Sequence, residues 1–107
     1  MIGISPAYFV SRYGNRFTTA DIVTGLDELA RIGFHGFQLE IYHPEALADW
    51  SRQAALRVRE RSAALGLNAH QFVAHFMLKD FADRQHLISD AAIEQMKVVL
   101  DIVERFE

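Results

Sequence analysis

Glu40, Tyr42, His43 and His75 are the residues of this 107-residue chain whose types and spacing could do chemistry. Glu40 and Tyr42 lie in GFQLEIY, residues 36 to 42, where Phe37, Leu39 and Ile41 alternate with Gln38, Glu40 and Tyr42. In a strand that alternation puts the two sets on opposite faces. A carboxylate on a buried strand face costs on the order of several kcal/mol unless it is paired, hydrogen-bonded or metal-bound. Two kinds of partner are open to Glu40. An arginine from the first loop, Arg12 or Arg16, makes it a plain ion pair; a substrate hydroxyl or a metal-bound water makes it a catalytic group. His75 closes a second strand-like run in NAHQFVAHFML, residues 68 to 78, and is a candidate for substrate contact or metal ligation through an imidazole nitrogen. His43, directly after the first run, and Tyr8, in an aromatic loop, are further substrate-binding candidates. Exposure of His43 before Pro44, and a core-covering role for Tyr8, Phe9 and Tyr13, are the competing readings.

The elements that must position these groups follow from pattern. MIGIS reads as a strand broken at Pro6, and residues 6 to 17 read as a loop with four aromatics. Thr18 or Thr19 caps a helix with Asp21 in its first turn and Ile22, Leu26 and Leu29 on one side, ended by Gly33. Strand two covers 36 to 42 and stops at His43 and Pro44. Asp49 or Ser51 caps a helix carrying Trp50, Ala54, Val58 and Leu65, closed by Gly66. Strand three spans roughly 67 to 76, a polar loop runs from Lys79 to His86, and Ser89 caps a last helix with Ile93, Met96, Leu100 and Val103 as its apolar stripe. The pattern breaks off there without a terminator.

ARIGFHGFQLE and AALGLNAHQFV superimpose with a shift of 33 residues, which aligns Gly33 with Gly66 and Gln38 with Gln71. Alternating strands and helices of this length imply parallel strands joined by right-handed crossovers. The fold class is α/β, with residues 1 to 107 forming a single domain of three parallel βα units. Three strands do not close by themselves. Either the helices split between both faces of a small doubly wound sheet, or the units are the first part of an eight-unit (β/α)8 TIM barrel of about 250 residues. Polar Gln38, Glu40 and Tyr42 favour the barrel, whose inward face turns polar near the mouth. The 33-residue register then carries them onto Gln71, Val73 and His75, so His75 points inward beside Tyr42 and close to Glu40. His70 has the opposite parity, which assigns it a structural place on the helix side or at the exposed start of its strand.

Composition narrows the field. A net charge of −3 argues against a nucleic-acid surface. The one basic cluster, Arg52, Arg57, Arg59 and Arg61, reads as a solvated helix face. With no cysteine, disulfides and thiolate metal sites are excluded. No membrane span or signal peptide is visible, so a cytoplasmic location is expected. No phosphate-binding glycine loop, HExxH motif or nucleophile elbow occurs.

GISPAYF, ELARIGFHGFQLEIYHP, AALGLNAHQFVAHFML and AIEQMKVVLDIVERF together resemble the N-terminal third of the xylose-isomerase-like barrel superfamily, in particular its sugar phosphate isomerase/epimerase members. The resemblance implies a barrel that binds a divalent cation, manganese, magnesium or zinc. It implies proton transfer between adjacent carbons of a small sugar or sugar phosphate, and it makes His75 a metal ligand by analogy with zinc-dependent abasic-site endonucleases of the same fold. Most family ligands come from later strands, so the 107 residues alone are expected to bind no metal and to catalyse no isomerisation. A fragment of such an endonuclease is one alternative. A small α/β binding module without catalysis is another, self-associating as a homo-oligomer through the uncovered sheet face.

Overall fold

Three strands, β1 (Gly3–Ile4), β2 (Gly36–Ile41) and β3 (Asn68–Ala74), lie side by side in that order, all parallel. The computed structural model describes residues 1 to 106, apart from the side chain of Leu87. Helices α1 (Ala7–Tyr13) and α2 (Thr19–Ile32) connect β1 to β2, and α3 (Arg52–Ala64) connects β2 to β3. After β3 come α4 (Arg84–Leu87) and α5 (Asp90–Glu104). Two 3-10 turns, Pro44–Asp49 and His75–Phe81, leave the C-terminal ends of β2 and β3.

Local chemistry explains where the main helices begin and end. Thr18 and Asp21 form a reciprocal capping box at the start of α2, each side chain accepting from the other's backbone N–H. Ser51 caps α3 and Ser89 caps α5 in one direction only, their hydroxyls accepting from the backbone N–H of Ala54 and Ala92. Gly33 and Gly66 leave α2 and α3 with φ of 106° and 68°, a left-handed backbone open to glycine at little cost.

The core lies on the side of β2 that carries Phe37, Leu39 and Ile41. These side chains are fully buried in one cluster with Ile22, Leu26 and Leu29 of α2 and with Ala55 and Val58 of α3. Alternation in β2 thus divides the sheet as its sequence suggests, with the apolar face under helices. Trp50 extends the cluster by edge-to-face contacts with Phe72 and Phe106.

Three sequence expectations need correction. Residues 6 to 17 are not all loop: Pro6 supplies the fixed φ of −62° from which the two-turn helix α1 starts. That helix buries one residue, Phe9, too few to leave a helical period in the sequence. The stretch from Lys79 to His86 is also structured, as the end of a 3-10 turn and a short helix capped by Asp83. Finally, Ile93, Met96 and Leu100 of α5 are exposed, and the helix meets the core through Ala92, Val99, Ile102 and the following Phe106. The helix is apolar on two sides, and only one of them has a neighbour.

Gly25 sets how closely α1 approaches α2. A methyl group there would stand 2.9 Å from Phe9 Cε1 and 3.1 Å from Tyr8 Cε1. Alanine gains about 1 kcal/mol of helix propensity over glycine, whereas overpacking a closed core costs about 1–3 kcal/mol. Gly25→Ala is therefore expected to lower the unfolding free energy by about 1 kcal/mol in urea titration. A more stable variant would mean that α1 can move aside.

Candidate functional site

The strand register decides which side chains meet. Gln38 pairs with Gln71, Leu39 with Phe72, Glu40 with Val73 and Ile41 with Ala74, the 33-residue offset read from the repeat. Equal-length units keep parallel strands in step, so residues of like position share a face. On the polar face Gln38 Nε2 donates to Gln71 Oε1 at 2.9 Å. One step further toward the strand ends, His75 Nδ1 lies 3.2 Å from Glu40 Oε1. The His75 ring stacks on Tyr42 with centroids 4.3 Å apart and planes 11° from parallel. His43 stands edge-on to the other part of this group, 5.2 Å from the Tyr42 ring.

Each of these residues is held by a chain reversal. Ile41 is the last residue of β2, and His43 starts the turn in which Pro44 takes the first position. Ala74 ends β3, and His75 opens the 3-10 turn that carries buried Phe76 and Met77 into the core. Those two anchors fix the direction of His75. The group therefore sits at the C-terminal edge of a parallel sheet, where open α/β sheets and barrels place their ligands.

Glu40 is 7% exposed. Burial pushes its carboxyl above the ordinary glutamate range, and the positive form of His75 pulls it back down. A carboxyl in that condition takes up a proton more readily than a solvated one and holds a substrate hydroxyl as either donor or acceptor. With Nδ1 turned toward Glu40, His75 has Nε2 left for an incoming group. The stacked Tyr42 ring restricts the imidazole to one plane. Together these residues are suited to hold and move a proton on a polar ligand.

The other expected site residues lie elsewhere. Tyr8 is tied to α2: its hydroxyl donates to Glu28 Oε2 at 2.6 Å and its ring lies against Gly25. Burial and that hydrogen bond push its phenol well above the usual range. Arg12 approaches the same Glu28 oxygen at 3.6 Å, so the ion pair proposed between Arg12 and Glu40 does not form. Arg16 makes no ion pair among the described residues, and the partner of Glu40 is His75. His70 lies at the exposed start of β3, the second of its two expected places, and not on the helix side. Phe37 pairs with Ala69 but Gln38 with Gln71, which makes His70 the extra residue of a β-bulge. Its ring covers Gly36, where a Cβ would overlap it, so it closes the lower end of the polar row.

One polar group escaped the sequence reading. Asp80, in a stretch read as solvated loop, is 6% exposed, and its Oδ2 is buried without a hydrogen-bond partner. Its place three residues after buried Met77 in a 3-10 turn turns it inward. That spacing is the signal that could have found it.

Among the described residues no three His, Asp or Glu side chains converge in a way that could hold a metal ion. A zinc site takes three or four protein ligands, and Glu40 and His75 supply two. No described helix is long and apolar enough to cross a membrane. Comparison with known proteins returns no match, whether to a family model, a curated protein or a solved structure.

Because the proton on Glu40 is held more tightly in the folded chain, its contribution to stability is complete below the ordinary value of 4.5 and is lost as pH rises through the raised folded value. Glu40→Gln keeps the shape and removes the charge. It is expected to raise the urea midpoint at neutral pH and to leave it unchanged near pH ~4, where glutamate is itself neutral. A destabilised E40Q at neutral pH would mean that attraction to His75 outweighs burial.

Proposed function

We propose that the chain is the first three βα units of a TIM barrel of the xylose-isomerase-like kind, contributing part of the mouth of a sugar or sugar phosphate isomerase or epimerase. One observation carries this reading: Glu40, Tyr42 and His75 meet on the polar face at the C-terminal edge of a parallel sheet, with Nδ1 to Oε1 at 3.2 Å. Glu40 would contact a substrate hydroxyl, and His75 and His43 would bind the same ligand. In a whole barrel His75 Nε2 would be one ligand of a divalent cation whose other ligands later strands supply. Supporting chemistry is a buried carboxyl, its proton affinity raised by burial, beside an imidazole, both groups of the kind that serve as general acid or base. A cytoplasmic location belongs to the same reading.

The chain alone has one wall of such a site and is expected to bind sugar weakly without turnover. Titrating a ketopentose phosphate into the labelled protein should shift the His75 imidazole resonances in a saturable way. His75→Ala should abolish saturation at the remaining mouth residues, and added Mn2+ should give no aldose–ketose conversion. Shifts confined to residues away from Glu40 and His75 would sink the reading, and metal-dependent turnover by the purified chain would refute its inactivity.

A second reading, a non-catalytic module that self-associates, is favoured by bare structure. The outer edges of β1 and β3 have no strand partner among the described residues, and Ile93, Met96 and Leu100 of α5 face outward. Unpaired strand edges and uncovered parallel sheets recruit further chain. A second copy is the occupant we propose, through the polar face and the free edges. Sedimentation equilibrium should report a dimer or larger species at micromolar concentration, and a monodisperse monomer would count against it.

A further inference from the structure

The basic cluster on α3 divides in the structure into arginines with partners and arginines without. Arg61 pairs with Asp27 of α2, as a solvated face would have it. Arg52 and Arg59 are seven residues apart on α3, with Leu56 between them at helical spacing, so the three share one face. Arg105, the residue that follows the end of α5, joins them from a different element. Together Arg52, Leu56, Arg59 and Arg105 line a cleft of about 290 Å³. Among the described residues none of these three guanidinium groups makes an ion pair or a side-chain hydrogen bond. Asp101, one turn before Arg105 on α5, forms no ion pair with it.

The chain as a whole is acidic, with 14 carboxylate residues against 11 basic ones. Among the described residues only Arg12 and Arg61 of the nine arginines make an ion pair, so what sets Arg52, Arg59 and Arg105 apart is their convergence on one cleft. Three like charges brought to one cleft repel each other until an anion enters. Arg52 is also the first residue of α3, at its positive end, while Arg105 caps the negative end of α5, so the two helix dipoles oppose each other and the guanidinium charges set the field. Guanidinium forks match the paired oxygens of phosphate and carboxylate alike. Three of them around one small concavity fit a dianion better than a single carboxylate. The Leu56 side chain, exposed in the cleft, offers apolar contact to the carbon part of an ester.

We infer that Arg52, Arg59 and Arg105 form a binding site for a small phosphate-bearing molecule, separate from the Glu40 and His75 mouth. Nothing in this site depends on the isomerase reading. The probe is pyrophosphate, titrated at low salt into the full chain and followed by the arginine Nε–Hε resonances. Saturable shifts are expected at residues 52, 59 and 105. Arg59→Ala and Arg105→Ala should each weaken binding about five-fold, and the Arg52→Ala/Arg59→Ala pair about 25-fold. Arg57→Ala, on the same helix but outside the cleft, should leave binding unchanged. Arg59→Lys, which keeps charge and helix propensity but loses the fork, should also weaken it, and this variant guards against an unfolded double mutant. Absence of saturation overturns the proposal. So does equal weakening by Arg57→Ala, which would mean diffuse charge. A single-stranded oligonucleotide that displaces pyrophosphate at matched phosphate concentration would make the cleft part of a nucleic-acid surface instead, and would also overturn it.

Discussion

The in-register parallel pairing of β2 with β3 is the constraint on which the rest of the structure depends. With Gln38 opposite Gln71 and Glu40 opposite Val73, every second residue from that pair to the strand ends lands on the same side of the sheet. A slip of one residue would send Phe37, Leu39 and Ile41 into water and Glu40 into the hydrocarbon of α2 and α3. Burial of three large side chains, each contributing about 1.5–3 kcal/mol, opposes that slip strongly. The meeting of Glu40 with His75 is thus a by-product of how the core is held.

Register is maintained despite a local fault. The bulge at His70 adds one residue to β3 below Gln71, so the lower part of the strand pairs one residue out of step with the upper part. Gly36 accommodates the extra imidazole because it has no side chain. The bulge turns His70 and Gln71 to the same face, which lengthens the polar row from the lower end of the sheet to the mouth. It also restores the offset that brings His75 to Glu40. If the lower register ran on without the bulge, Glu40 would stand opposite Phe72 instead of Val73.

Burial on one side of the sheet contrasts with openness on the other. The helix-covered face is closed by α2, α3 and aromatic contacts of Trp50, whereas the polar face leaves Gln71 and about a third of the His75 side chain accessible to solvent. Charge is handled in the same divided way. Tyr8, Glu28 and Arg12 satisfy one another between α1 and α2, and Arg61 is satisfied by Asp27, while Arg52, Arg59 and Arg105 are left together. The partnered groups hold helices in place; the unpartnered ones are where a ligand has something to gain.

Much of the fold was legible in the chain itself, because the signals are local. Caps at Thr18, Ser51 and Ser89, stops at Gly33 and Gly66, alternation in β2 and the repeat between β2 and β3 each act within a few bonds or within one repeat. The pairing of Tyr42 with His75 and of Glu40 with His75 followed from them by parity. What parity could not anticipate was an added residue: the bulge at His70 depends on a gap over Gly36 in a different strand. Nor could periodicity choose between the two apolar sides of α5, bury Asp80, or divert Tyr8 and Arg12 to Glu28. Those outcomes were decided by which surfaces remained free once the helices had packed, and a contact between distant segments leaves no trace in the pattern of either one.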